Sequence, residues 1–468
     1  MQIKKVDVAI VGTGTAGMGA YRTATAVTDS VVLIEGSHYG TTCARVGCMP
    51  SKLLIAAAEA AHSASHTAPF GVHLEGQIRI DGVEVMNRVR RERDRFVGFV
   101  LESVDGFKSE HKMKGFAHFE DPHTLVVDDH TKIQAKSIVL AVGSTPDIPS
   151  IFSDLGDRVI INDDVFYWQD LPKSVGVFGP GVIGLELGQA LHRLQVRTTI
   201  FGRGGRVGPI TDPEIKNYSK KILSQELDLQ HAANLKSMRR TDEGVHVEFL
   251  DNEGNLRKEH YEYLLVTTGR RPNFDKLQIN KAGLTLDERG VPIFDSSTMQ
   301  CGESHIFIAG DANDQLPLLH EASDEGRIAG ANAACFPEIQ KGHRRSPLNV
   351  VFCDPQMAIA GWSYAEILEK KCDYVTGKVS FENQGRSRVM LVNKGAMHVY
   401  AERKTGRFLG AEIFGPRAEN LGHLLSWSHQ QQLTIPQMLD MAFYHPVIEE
   451  GLRTALRDAN SQLSQNSK

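Results

Sequence analysis

The chemistry this chain can do is concentrated in two cysteines five apart, an imidazole five residues ahead of an acid, and two glycine-rich runs. The cysteines lie in Cys43-Ala44-Arg45-Val46-Gly47-Cys48-Met49-Pro50-Ser51-Lys52. On a regular helix, Cα atoms at i and i+5 are roughly 9 Å apart, whereas a disulfide needs less than about 7 Å. A bridge here therefore demands a break in the backbone, which Gly47 permits. Pro50 suits the first turn of a helix, because the N–H it lacks has no partner there, so a helix is expected to open just after Cys48. Its positive end would favour thiolate at Cys48. The competing reading is a pair of buried free thiols. Near the other end, Tyr444-His445-Pro446-Val447-Ile448-Glu449-Glu450 biases His445 toward extended backbone, with Glu450 able to orient its ring. With 19 His in the chain, that pattern alone does not separate a base from a surface residue.

These groups need elements to position them. Val6-Asp7-Val8-Ala9-Ile10-Val11 reads as a buried strand, Gly12-Thr13-Gly14-Thr15-Ala16-Gly17 follows at once, and a helix to about Ala26 leads to the strand Val31 to Glu35. Strand, glycine loop, helix and a distal acid are what a dinucleotide requires: bare N–H groups meet the pyrophosphate and Glu35 takes the ribose hydroxyls. The same arrangement returns 167 residues later, with Gly179, Gly181 and Gly184 at one constant offset and a helix to about Leu194. In this copy Gly202 stands where the ribose acid would be, followed by Arg203 and Arg206. Loss of the carboxylate together with two guanidinium groups suits a 2′-phosphate, which favours NADP over NAD; solvated loop charges are the plainer alternative. Each copy ends in an apolar strand stopped by glycine with proline three residues on, at Gly143 to Pro146 and Gly269 to Pro272. A further apolar strand, Ile306 to Asp311, is expected to end in that acid, and an Ala-rich helix is expected from Glu321 to Phe336. From about Ser346 the pattern changes to alternating strands and amphipathic helices without a glycine loop.

The composition agrees with an enzyme and excludes other classes. A length of 468 residues is enough for about three domains. Lys plus Arg is 52 against 57 Asp plus Glu, so no basic excess exists for a nucleic acid or an anionic lipid surface. Six Cys are too few for a disulfide scaffold, and Cys301, Cys335, Cys353 and Cys372 read as bystanders. No apolar run reaches membrane-spanning length, and the first strand begins too early and too polar for an export signal, so a cytoplasmic location is expected. No metal site is expected.

Taken in order, the first glycine loop, the Cys43 to Lys52 stretch, Gly179 to Gly188 with Glu186 inside it, Gly269 to Asn273, Ala309-Gly310-Asp311, Val351 to Gly361 and His445-Pro446 with Glu450 resemble the flavin-dependent pyridine nucleotide-disulfide oxidoreductases, from Val6 to about Asp458. The resemblance implies an α/β fold of two Rossmann-like modules for FAD and NAD(P), plus a C-terminal α+β dimerisation domain. It divides the chain into residues 1–150 for FAD, 151–272 for NAD(P), 273–345 returning to the FAD domain, and 346–468 for the interface. It places FAD at Gly12, Gly14, Gly17, Glu35, Lys52, Gly143, Gly310 and Asp311, and NAD or NADP at Gly179, Gly181, Gly184, Arg203, Arg206 and Gly269. It makes Cys43 and Cys48 a redox disulfide, with Cys48 toward the flavin and Cys43 toward substrate. It implies that Lys52 and Glu186 would form an ion pair by the flavin's reactive edge. It also implies that His445 and Glu450 would come from the other subunit of a homodimer and move the thiol proton. The implied reaction passes electrons between a dithiol or lipoyl-type substrate, the disulfide, FAD and NAD(P). An NADPH-dependent reductase of another disulfide, a transhydrogenase, a quinone or metal-ion reductase, and a non-catalytic flavin sensor share the frame. The paired cysteines argue against the reductases of other groups, and the presence of Lys52, His445 and Glu450 argues against the sensor.

Overall fold

The computed structural model describes residues 1–464 and separates into two compact units. The first comprises Met1–Leu53, Asn87–Asp147 and Gly269–Arg345. Its sheet sets Lys112–Lys114, Val31–Glu35, Gln2–Val11 and Thr131–Leu140 side by side in parallel, and Ile306–Ile308 pairs with the end of Thr131–Leu140. Alternation along the strands splits the side chains between two faces, as a parallel sheet covered on both sides requires. Val8, Ile10 and Leu33 pack with Ala16 and Ala20 of the helix Thr15–Ala24, whereas Ala9, Val11 and Ile34 join Phe119, Leu125 and Ile308 opposite. The helix Leu319–Cys335 lies against Thr15–Ala24 so closely that a Cβ at Gly326 would come 2.2 Å from the Ala16 carbonyl oxygen.

Boundaries differ from expectation where backbone pairing outweighs side-chain pattern. The first strand starts at Gln2 rather than Val6, because Gln2 to Lys5 pair with Thr131 to Gln134 despite their polarity. The helices end slightly early, at Ala24 and Arg193, and the Ala-rich helix runs from Leu319 to Cys335. The strand Ile306–Ile308 stops short of Asp311, which lies in the 3₁₀ turn Gly310–Asn313. Beyond their stopping glycines, the two Pro-bearing endings form short strands, Ser144–Pro146 and Arg270–Pro272, which pair with each other antiparallel.

The second unit comprises Leu54–Met86, Ile148–Thr268 and Ser346–Lys468. One parallel sheet runs Asp228–Gln230, Arg197–Phe201, Ser174–Phe178, Tyr263–Val266 and Val159–Ile160, with a three-stranded antiparallel meander between Asn234 and Tyr261. A five-stranded antiparallel sheet between Leu348 and Gly415 carries the helices Ala418–Gln430 and Glu450–Ser464, around a core that includes Phe381, Val399, Phe408, Leu421 and Leu456. No helix among the described residues is long and apolar enough to cross a membrane.

Buried charge ties this unit's parallel sheet and its flanking helix to its antiparallel sheet. Asp212 caps the helix Pro213–Leu223, and its other oxygen accepts from Tyr400 at 3.0 Å and lies 2.8 Å from His398 Nδ1, while His398 Nε2 faces Glu214 at 3.3 Å. Burial pushes the Asp212 carboxyl up, but the His398 hydrogen bond and charge outweigh it and hold the group below the usual carboxylate range. A depressed pKa gives stability that is present above the unfolded value of about 4 and is lost as pH falls through the folded one. Asp212→Asn is accordingly expected to cost about 1–3 kcal/mol at pH 7 and to flatten the fall in urea midpoint between about pH 5 and pH 3. Parallel pH curves for the two proteins would show that Asp212 does not carry this dependence.

Candidate active site

The two glycine loops have the same construction. Gly12 and Gly179 adopt φ of +107° and +112°, a left-handed region that a side chain resists, and a Cβ there would sit 2.2 Å from the Ala141 carbonyl oxygen and 2.5 Å from that of Thr267. A Cβ on Gly17 or Gly184 would lie 1.9 Å from the carbonyl oxygen of the loop's first glycine, so helix and strand close only without side chains. Gly14 and Gly181, by contrast, have no atom within 4 Å of a would-be Cβ. That open space above bare helix N-terminal N–H groups fits a pyrophosphate in both loops.

The surroundings of the loops differ. Glu35 accepts from the Thr13 N–H at 3.0 Å, the Thr13 hydroxyl at 2.7 Å and the Ser37 N–H at 2.8 Å, which fixes its carboxylate beside the first loop. Asp311 accepts from the Ser144 hydroxyl at 2.8 Å, and Arg270 donates to that same hydroxyl at 2.8 Å. Gly143 precedes Ser144 and accepts the Asn273 N–H at 3.1 Å. Thr13 and Ser144 were not singled out from the sequence, because hydroxyl residues next to a glycine carry no spacing signal of their own. In the second loop a Cβ on Gly202 would press to 2.6 Å from Pro180 Cγ, so the residue at the acid's position is glycine for a packing reason. Arg203 and Arg206 follow, exposed, on a turn tied by the Gly205 N–H to the His231 carbonyl at 3.1 Å. Gly269 lies in the first unit, where its carbonyl accepts the Asp147 N–H at 3.0 Å.

The cysteines straddle the expected break. Thr42–Val46 is a short helix capped by the Thr41 hydroxyl, Gly47 leaves helical geometry at φ −128° and ψ −117°, and Cys48–Ser65 begins anew at Cys48 itself, with Pro50 in its first turn. A Cβ on Gly47 would approach Cys43 Cα to 3.0 Å, so glycine lets the two turns fold together. The sulfurs are then hydrogen-bond partners. That bond to Cys48 is the main influence pushing the Cys43 thiol well up; burial adds to it and the Lys52 charge opposes it. Deprotonating Cys43 in the reduced pair therefore calls for a base. Arg45 turns away from the pair and donates to the Tyr39 carbonyl at 3.3 Å.

The remaining polar residues belong to the second unit. Glu186, buried in the helix Val182–Arg193, accepts the Phe352 N–H at 2.9 Å. His445 Nδ1 is 3.0 Å from Glu450, the first residue of its helix, which also accepts from Arg453 at 2.8 Å. The His445 hydrogen bond leads the causes holding the Glu450 carboxyl below its ordinary range, so it is a carboxylate at neutral pH. A carboxylate only accepts, so Nδ1 carries the proton and Nε2 of the neutral ring is left to take one. The His445 side chain is 80% exposed, and Tyr444, Trp427, Met441 and Leu424 are exposed apolar side chains of the same unit.

Two glycine loops of one construction fit two dinucleotides held by the same chain. The chain belongs to the pyridine nucleotide-disulphide oxidoreductases: the family's model matches residues 6–326, and the model of its dimerisation domain matches residues 348–456. Dihydrolipoyl dehydrogenase of Chlamydia trachomatis is 29% identical over 452 residues, covering 95% of this chain and 94% of the relative. That of Bacillus subtilis is 28% identical over 454 residues, again with 95% and 94% covered. Among solved structures, LpdA of Mycobacterium tuberculosis superposes with a TM-score of 0.80 at 22% identity over 97% of this chain and 99% of its own. The HOCl-induced flavoprotein disulfide reductase RclA of Escherichia coli gives 0.78 at 22% identity over the same shares. Family membership makes FAD the prosthetic group, a nicotinamide nucleotide the electron partner, and the C-terminal region a dimerisation domain.

Proposed function

We propose that the chain is a dihydrolipoyl dehydrogenase-type enzyme of the cytoplasm that interconverts a dithiol and its disulfide at Cys43 and Cys48. The observation that carries this reading is the hydrogen-bonded cysteine pair folded together at Gly47. The names of the relatives support a lipoyl substrate. Starting from a Cys43–Cys48 disulfide, one substrate thiolate attacks the Cys43 sulfur; the S–S bond breaks, Cys48 leaves with the electron pair, and Cys43 holds the substrate as a mixed disulfide. The second substrate thiol, its proton passed to His445 Nε2, displaces Cys43, so the substrate leaves oxidised and both cysteines are reduced. Cys48 begins a helix, where the aligned N–H groups stabilise its thiolate. FAD, when bound by the Gly12 loop, Glu35 and the Asp311 turn, supplies a two-electron carrier between these thiols and the nicotinamide. Lys52, beside the cysteines, is assigned to the flavin edge, where its positive charge would favour reduced flavin. The exposed His445 and its apolar neighbours favour a homodimer in which His445 and Glu450 serve the partner subunit's cysteines.

A second reading concerns the nicotinamide. The steric exclusion of any side chain at Gly202 and the exposed Arg203 and Arg206 favour NADP. One steady-state comparison tests both readings, pairing dihydrolipoamide and glutathione disulfide with each nicotinamide. Lipoyl turnover is expected to dominate, with NADP(H) preferred, and replacing Arg203 and Arg206 together by Ala is expected to raise the KM for NADPH tenfold or more while sparing NADH. Faster turnover of glutathione disulfide would contradict the lipoyl assignment, and an unchanged KM for NADPH would contradict the role of the arginines.

A further inference from the structure

The turn that presents Asp311 is held from beneath by a buried carboxylate to which neither the motifs nor the thiol chemistry assigns a role. Glu325, in the helix Leu319–Cys335, is fully buried. Its Oε2 accepts the Gly310 N–H at 2.8 Å and the Asn313 side-chain amide at 2.7 Å, so one oxygen clasps both ends of the turn Gly310–Asn313. Asp311, between them, accepts from the Ser144 hydroxyl. The other oxygen, Oε1, faces the Arg344 guanidinium at 3.0 Å, and Arg344 also donates to the buried Glu321 at 2.6 Å.

Each part of this arrangement has a physical reason. Gly310 sits at φ +71°, with a would-be Cβ only 3.0 Å from Ala16 Cβ, so the chain turns sharply here against the first dinucleotide helix. Strand pairing ends just before, where the Ala309 N–H meets the Leu140 carbonyl, and the next N–H, that of Gly310, is buried and needs another acceptor. A carboxylate makes a stronger bond to it than a neutral acceptor would. Burial holds the Glu325 carboxyl above its ordinary range, with Arg344 leading the influences that oppose it. Without the guanidinium the buried charge would be costly. The helix that delivers Glu325 is fixed in turn, because its next residue, Gly326, packs directly on Ala16.

We propose that Glu325, with Arg344 as its counter-ion, is a positioning residue that sets flavin affinity by holding Asp311 in its receiving turn. This rests on the assignment of that turn to FAD, and the test separates the two. FAD release is followed by flavin fluorescence on dilution of the holoprotein, and melting is measured with and without added FAD. Glu325→Ala is expected to raise the FAD dissociation constant roughly tenfold or more and to shrink the gain in Tm on adding FAD. Glu325→Gln, whose amide oxygen still accepts from Gly310, is expected to recover part of both. A purely structural role would lower Tm equally with and without FAD and leave the dissociation constant unchanged. That result, with Asp311→Ala still weakening FAD, overturns the inference alone. An unchanged constant in Asp311→Ala as well overturns the assignment of the turn and the inference with it. If Glu325→Ala does not fold, Glu325→Gln and Arg344→Met carry the same comparison: weakened FAD supports the proposal, and unchanged affinity in both overturns it.

Discussion

Cys43→Ser is expected to reduce dithiol–disulfide turnover by about a thousandfold or more, while NAD(P)H still bleaches the flavin at a normal rate. Serine is close to cysteine in size, and residue 43 lies in a short helix whose cap and backbone bonds do not involve its side chain, so folding is spared. What the variant lacks is the sulfur proposed to exchange with substrate: a hydroxyl neither forms a mixed disulfide nor leaves from one. Cys48→Ser removes the partner sulfur instead; given the disulfide form of the substrate, the Cys43 thiolate is expected to break its S–S bond, release one substrate sulfur as a thiolate and stay joined to the other, an adduct that intact-mass measurement would detect. Normal lipoyl turnover by Cys43→Ser would place the chemistry elsewhere.

The second large effect belongs to His445. Its replacement by Ala is expected to lower dithiol turnover by roughly 10²–10⁴, the usual contribution of a general base. Cys43 makes the requirement acute, because its hydrogen bond to Cys48 and its burial oppose ionisation of the reduced thiol. The His445 side chain is 80% exposed, which is poor shelter for a base unless another subunit covers it. Mixed dimers decide the point. If His445 serves the partner subunit's cysteines, co-assembling Cys43→Ser chains with His445→Ala chains restores one intact site in each heterodimer, for about half the wild-type rate. If base and cysteines of one chain work together, every site in the mixture carries a defect and no activity returns.

Much of this was legible in the sequence, for reasons that can be named. Both glycine loops were found because the geometry admits no alternative residue: Gly12 and Gly179 need positive φ, and Gly17 and Gly184 need bare contact with the loop. The break at Gly47 followed from the spacing of Cys43 and Cys48 and the reach of a disulfide. Residues that act by orienting others were not legible. Thr13 on Glu35, Ser144 on Asp311 and Glu325 on Gly310 meet across separations of 22, 167 and 15 residues, and nothing local marks them. Gly202 shows the reverse limitation: the sequence revealed the missing acid but not that Pro180 excludes one. The two Gly-x-x-Pro endings were seen as alike, yet their pairing with each other depends on strand direction, which composition does not encode.

The central claim, that Cys43 and Cys48 are a redox pair, is tested most directly by counting thiols on the denatured chain before and after reduction with dihydrolipoamide, then mapping the labelled peptides. The predicted result is a gain of two thiols per chain, both on the peptide carrying Cys43 and Cys48, with Cys301, Cys335, Cys353 and Cys372 labelled equally in the two samples. No gain, or a gain that maps to any of those four cysteines, would contradict it.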